Sequence, residues 1–398
     1  MTRRRSGLSD AGDGAPILVV AVSARMLAEL ATAAGYRVVA LDRFGDLDLE
    51  QICESRSLRE IGGAGGMAAL VAAAEGMAAD AVVYGAGLEN RPDLVVRLAR
   101  RRTLLGNDAD VLRRVREPAI LGPALRSAGL DYPRTLHAAD VSFRPTHSRA
   151  WLRKPLRGGG GRGVREWRGG ALTPHEVVQE RVRGLSCSIA AVGNGRSAVV
   201  LGITEQLIGE RAFGGRRYAW CGNVTPPRLA ADERRALARW ADSICALIVE
   251  KLGLRGLFGV DLVWDGRRAW IVEVNPRPTG SLEVIALVGG PAPFDAHVRA
   301  CAGHLPPGPP RAAMAGPRAA GKAIVYARAD IVVGDTRSWG AQGMRDIPHP
   351  GERIAAGQPM CTLIGVAETA EAVLAELHER VERLRAELGD GVARGASA

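Results

Sequence analysis

The stretch Gly259-Val-Asp-Leu-Val-Trp-Asp-Gly-Arg-Arg-Ala-Trp-Ile-Val-Glu-Val-Asn-Pro-Arg277 constrains this chain most. Two short apolar runs, Gly259–Trp264 and Ala269–Val274, flank Asp265-Gly266, a dipeptide whose glycine tolerates the positive φ of a tight hairpin turn. Side chains alternate between faces along a strand, so Asp261 sides with Val263, while Glu273 and Asn275 sit opposite in parity to Val272 and Val274. Asp261, Glu273 and Asn275 can therefore converge at one end of an otherwise apolar hairpin. Two carboxylates and an amide, with room for phosphate oxygens, form the hard oxygen set that Mg²⁺ prefers. The same spacing also fits a merely polar face on an exposed hairpin, so the choice rests on whether the rest of the chain supplies a nucleotide site.

At 398 residues the chain has room for two or three domains with their own cores. No apolar run reaches about 18 residues without a charge, so no membrane-spanning helix is expected. The basic start, Met1 to Ser6, is followed by a polar, glycine-rich stretch without a secretory apolar region. The six cysteines are scattered and form no Cys-x-x-Cys pair, which argues against a zinc site and for a reducing, cytoplasmic setting. The net charge of +10 calls for an anionic partner. However, the 53 basic residues include three lysines, Lys154, Lys251 and Lys322, and the remaining 50 are arginines spread through every segment. That spread reflects an arginine-biased composition and gives a nucleic-acid footprint little support.

From residue 16 the chain alternates strands and helices. A buried strand at 16–22 is followed by a helix with Ser23 as its N-cap and Gly35 as its stop. Further strands are expected at 37–42 and 81–84, with a helix at 67–76 between them. This rhythm predicts a parallel sheet with right-handed crossovers over 16–104, after a disordered leader at 1–15. No Gly-x-Gly-x-x-Gly follows the first strand, so this unit reads as a scaffold or as a domain that shapes an acceptor site.

A helical region at 105–129 is divided by Pro118. Then Trp151–Lys154 reads as a strand, residues 155–163 as a loop with Gly158, Gly159, Gly160 and Gly161, and Val164–Trp167 as the returning strand. Successive glycines let backbone N–H groups wrap an anion, and Lys154, Arg157 and Arg162 add charge. A phosphate-covering loop is the functional reading and a glycine linker the plain one. Strands are expected at 177–182, 186–192 and 198–203, a basic loop at 211–218, and a helix at 230–252. Proline-rich residues 301–320 read as a linker, and 321–398 as a C-terminal domain of compact β structure closed by a helix at 367–388.

In this order, a strand-borne lysine, a glycine loop, a Gln-Glu-x-Val strand and an Asp…Glu-x-Asn hairpin resemble the ATP-grasp superfamily over roughly residues 105–300. The fold class this implies is mixed α/β and α+β: a Rossmann-like pre-ATP-grasp domain, a two-subdomain ATP-grasp unit, and a small C-terminal β/α domain. By this resemblance Lys154 and residues 157–163 hold phosphates, and Gln179, Glu180 and Val182 lie on the strand that holds adenine. Asp261, Glu273 and Asn275 bind Mg²⁺ or Mn²⁺, and Arg277 faces the γ-phosphate or the acyl phosphate. Pro350 to Pro359 and the closing helix resemble the last domain of biotin carboxylases, placing the chain nearest that carboligase branch. A homodimer is a further expectation of the resemblance.

Several positions depart from a true carboxylase. The glutamate that follows Asn-x-Arg in biotin carboxylases is displaced here by Pro278–Ser281, with Glu283 two residues late. A second family lysine is missing around Arg116-Glu117-Pro118, Leu185–Ser188 lacks the ribose-binding carboxylate, and no biotin-attachment Met-Lys-Met occurs. These departures favour an ATP- and Mg-dependent ligase that joins a small carboxylate to an amine through an acyl phosphate, with Ser281 and Glu283 positioning the acceptor. By analogy with its branch it would serve assembly of a pterin or furan one-carbon-carrier cofactor. An ATP-dependent carboxylase and a non-catalytic ATP-binding module are the alternatives.

Overall fold

The computed structural model describes residues 15–62, 65–138, 150–290, 292–308 and 318–389. Residues 1–14 of the expected leader and 309–317 of the proline-rich stretch therefore lie outside the described residues. No helix among the described residues is long and apolar enough to cross a membrane.

The first unit is a five-stranded parallel sheet, order β3-β2-β1-β4-β5, built from Ile17–Val20 (β1), Val38–Asp42 (β2), Glu54–Ser57 (β3), Ala81–Tyr84 (β4) and Thr103–Leu105 (β5). β1, β2 and β4 are buried along their whole length, as a parallel sheet covered on both faces requires. Arg25–Ala33 (α1) and Pro293–Cys301 (α9) cover one face, with Leu27, Phe294 and Val298 packed on Ile17 and Val19. Met67–Ala74 (α3) and Pro92–Ala99 (α4) cover the other, with Leu70, Leu94 and Leu98 against Leu18 and Val20. Ser23 is not the N-cap of α1. Ala24 takes that place, and its N–H donates to Asp42 Oδ2 at 3.2 Å while the Ser23 hydroxyl turns to Asp346.

Ala109–Arg116 (α5) and Pro118–Ser127 (α6) divide at Pro118 as expected, because proline lacks the N–H that would continue the first helix. A four-stranded antiparallel sheet follows, order β6-β9-β7-β8, from Thr135–His137 (β6), Trp151–Pro155 (β7), Arg165–Trp167 (β8) and Glu176–Glu180 (β9).

The largest sheet has eight strands. Leu185–Asn194 (β10), Ala198–Ile208 (β11), Trp220–Thr225 (β12), Arg255–Trp264 (β13) and Ala269–Asn275 (β14) are joined by Ala319–Tyr326 (β15), Met344–Arg345 (β17) and Pro359–Ala367 (β19). Ala231–Leu252 (α7) lays Ile244 and Ile248 on Ile189, Val260 and Leu262 of one face. Ser281–Leu287 (α8) places Leu282 and Ile285 on Ala190 and Leu201 of the other. The C-terminal segment, expected as a separate domain, continues this sheet through pairing of β12 with β15, and Ala370–Glu387 (α10) packs its apolar stripe there.

Candidate active site

The expected hairpin is formed by β13 and β14, with Asp261 directly opposite Glu273 and Gly259 opposite Asn275. The register slips after Asp261, so Val272 is the extra residue on β14. Asn275 Nδ2 donates to Asp261 Oδ2 at 2.9 Å, while Asp261 Oδ1 accepts from Ser188 Oγ at 2.8 Å and Gln206 Nε2 at 3.0 Å. Burial, and then the facing Glu273, push Asp261 above the ordinary carboxylate range. Burial acts the same way on Glu273, but Arg116 and Lys154 outweigh it and hold that carboxyl low. The residue types fit a hard cation: the Asp261 and Glu273 carboxylates face each other with the Asn275 amide beside Asp261, a set that phosphate oxygens and water would complete. Among the described residues no group of three His, Cys, Asp or Glu ligands occurs, so any ion here depends on Asn275 and on the nucleotide.

These groups line one cleft of about 650 Å³ together with Lys154, Gly158 to Gly161, Gln179, Glu180, Val182, Arg277 and Ser281. Gln179, diagonal to Lys154 across the β7–β9 ladder, accepts from Lys154 Nζ at 2.9 Å and donates to Thr135 Oγ1 at 3.1 Å. Its buried amide therefore aims the lysine. Burial and the nearby Arg116 lower the Lys154 ammonium, and Glu273 opposes them.

The glycine loop is held shut over the cleft. Gly160 C=O accepts from Trp220 N at 3.0 Å, and Gly158 C=O accepts from Arg116 Nη2 at 3.1 Å. Gly161 has φ +73°, and a Cβ there would stand 1.7 Å from the Tyr218 carbonyl oxygen. Only glycine permits that approach.

Arg116 occupies the place where the sequence lacked a second lysine. It bonds to Glu273, to Gly158 C=O and to Asn90 Oδ1. In a chain so rich in arginine nothing singles it out in sequence, and Ser188, Gln206, Tyr218, Trp220 and Asn223, which also line the cleft, carry no motif. Arg277 bonds through Nε to Glu89 at 2.8 Å and through Nη2 to Asn275 Oδ1 at 3.3 Å. Ser281 shares a 2.9 Å hydrogen bond with Thr279 at the far end of the cleft.

Glu283 differs from the expectation. It is buried on α8 between Arg25 of the pre-grasp unit and Lys322 of β15, and it is absent from the described lining of the cleft. Lys322 in turn lies 5.7 Å from the Trp220 ring, whose edge covers Gly280.

An ATP-grasp domain family model matches residues 121–281. A formate-dependent phosphoribosylglycinamide formyltransferase from Burkholderia mallei is 30% identical over 190 residues, 44% of each chain, and one from Geobacter metallireducens is 36% identical over 80 residues, 20% of this chain and 18% of its own. The matches thus span less than half the length of these relatives. The biotin carboxylase domain of a Hydrogenobacter thermophilus 2-oxoglutarate carboxylase shares the fold with TM-score 0.71 at 15% identity, over 90% of this chain and 88% of that one. An N5-carboxyaminoimidazole synthetase from Staphylococcus aureus does so with TM-score 0.65 at 16% identity, over 93% and 98%. The ATP-grasp model spans the loop, hinge strand and hairpin that line the cleft, so residues 121–281 are similar to an ATP-grasp domain, within a chain that shares the fold of biotin carboxylase domains.

Proposed function

We propose that this chain is an ATP-dependent ligase that activates a small carboxylate as an acyl phosphate and passes the acyl group to an amine. The observation that supports it is the convergence of Lys154, the 158–161 loop, the Asp261–Glu273 pair and Arg277 in one cleft. Adenine lies along Glu180–Val182, where β9 ends, and the glycine N–H groups with Lys154 and Arg116 take the phosphates. Asp261, Glu273 and Asn275 would hold Mg²⁺, which when bound offsets phosphate charge and withdraws electrons from the transferred phosphorus.

A carboxylate oxygen attacks the γ-phosphorus, the bond to the β-phosphate bridging oxygen breaks, and ADP leaves. Arg277 stabilises charge on the transferred group. The amine lone pair then attacks the acyl carbon, phosphate departs, and the amine loses a proton. Ser281 presents its hydroxyl at the acceptor end, while Glu283 acts there by fixing Lys322 beside Trp220. The formate-dependent relatives make formate the first acid to try. A role in building a one-carbon-carrier cofactor belongs to the same reading by family analogy.

The test is ADP and phosphate release over a matrix of carboxylates, formate and bicarbonate included, and amines with Mg²⁺. Release that requires both an acid and an amine is expected. Release with bicarbonate and no amine would favour a carboxylase instead, and silence across the matrix a module that only binds ATP.

A further inference from the structure

The turn after β4 reaches from the pre-grasp sheet to the site. Gly87, at φ +103°, bends the chain so tightly that a Cβ would meet Val22 Cγ2 at 2.7 Å. Two residues on, Glu89 folds back, and its Oε2 accepts from the Gly87 N–H at 2.5 Å. Its other oxygen, Oε1, accepts from Arg277 Nε at 2.8 Å. The Glu89 side chain is 2% exposed and that of Arg277 13%. Glu89 is absent from the described lining of the cleft, whereas Arg277 is part of it.

We propose that Glu89 is the positioning residue of Arg277: it fixes the guanidinium so that its Nη edge meets the transferred phosphate. This rests on the ligase reading for the place of Arg277. A free arginine side chain has several rotatable bonds and could swing along the cleft wall. Here Nε is held by Glu89, Nη1 by Pro278 C=O at 3.0 Å and Nη2 by Asn275 Oδ1 at 3.3 Å. The two Nη contacts come from the chain beside Arg277 itself. Glu89 alone among these partners belongs to another unit and carries an opposing charge, so it sets where the plane points. Because Glu89 is anchored to a tight turn through Gly87, it brings a rigid reference from the parallel sheet to the phosphate end of the cleft.

A residue that only neutralised a buried arginine would behave differently. Glu89→Asp keeps the charge and withdraws it by one methylene, and Glu89→Gln keeps the length and removes the charge. The experiment is calorimetric binding of Mg²⁺ with ADP and with the non-hydrolysable ATP analogue AMP-PNP to the full chain and to Glu89→Gln, Glu89→Asp, Arg277→Ala and the Glu89→Gln/Arg277→Ala pair.

The unaltered chain is expected to prefer the triphosphate, and both Glu89 variants to lose roughly tenfold of that preference while keeping ADP affinity. The double variant should fall no further than Arg277→Ala, as it must if Glu89 acts only through the arginine. Full preference in Glu89→Asp would reduce Glu89 to a charge partner and overturn the proposal, as would additive losses in the double variant. Failure of the unaltered chain to bind either nucleotide would overturn the ligase reading and this proposal together. Absence of turnover with intact nucleotide binding would sink only the ligase reading.

Discussion

The guanidinium of Arg116 is bonded to the carboxylate of Glu273, across the cleft from the glycine loop that the same arginine holds through Gly158. One side chain thus links the proposed metal ligand to the phosphate cover. Arg116→Ala frees both, and the KM for ATP should rise about tenfold, the order expected for one charge-assisted phosphate contact. Arg116→Lys keeps the charge but loses the forked contact to Asn90 and Gly158, so its KM should lie between the two. ADP release against ATP concentration measures both.

The hairpin carboxylates should act on turnover rather than on adenine binding. Asp261→Asn and Glu273→Gln preserve shape and remove one negative charge each. Turnover should fall at least about a hundredfold in either variant, a loss typical of removing one electrostatic element of the transition state. Binding of ATP in the presence of a chelator should change little. Mg²⁺ titration of ADP release separates the two effects.

Glycine substitutions in the loop should divide sharply. Gly161→Ala places a Cβ 1.7 Å from a backbone oxygen at a positive φ, so the loop must move off Tyr218. A Cβ at Gly159 meets nothing within 4 Å. We expect Gly161→Ala to weaken ATP binding several-fold and Gly159→Ala to leave it nearly unchanged. The left-handed backbone alone costs roughly 1–2 kcal/mol in the first variant.

One buried histidine sets a pH window for stability. His297 accepts from Leu257 N through Nδ1 at 2.8 Å and contacts Leu105 C=O through Nε2 at 3.1 Å, which fixes the neutral ring. Burial, against the Leu105 contact, lowers it from 6.5 to about 4. The unfolded chain therefore takes up the proton first as pH falls, and stability present above about 6.5 is lost between there and about 4. The loss is at most roughly 3 kcal/mol. His297→Asn keeps an acceptor for Leu257 N, so its denaturant midpoint should lose the part of the slope in this window that the histidine contributes.

Much of the site is legible in the sequence because its parts are local. The Asp265-Gly266 turn and strand alternation place Asp261, Glu273 and Asn275 together, and the Lys154 strand with its glycine loop is contiguous. Trp220–Thr225, by contrast, follows a run of glycine and arginine without its own period, and it becomes a strand only by pairing with Glu205–Ile208 and Ala320–Ala323. Glu283 and Arg116 were harder still. Their partners, Arg25 and Lys322 for one and Glu273 for the other, come from distant segments, and no spacing rule links them. The short helix Ser281–Leu287 carries Ser281 and Glu283, the residues expected to position the acceptor, and its apolar face is explained by the sheet it covers rather than by chemistry.

The acyl phosphate itself can be tested by labelling. The acid found in the ADP-release matrix is supplied with heavy oxygen in its carboxylate, and the phosphate released with the amide product is analysed by mass spectrometry. Transfer of one labelled oxygen from the acid to the phosphate is predicted, because that oxygen bridges carbon and phosphorus before the amine attacks. Unlabelled phosphate accompanying amide formation would contradict the account.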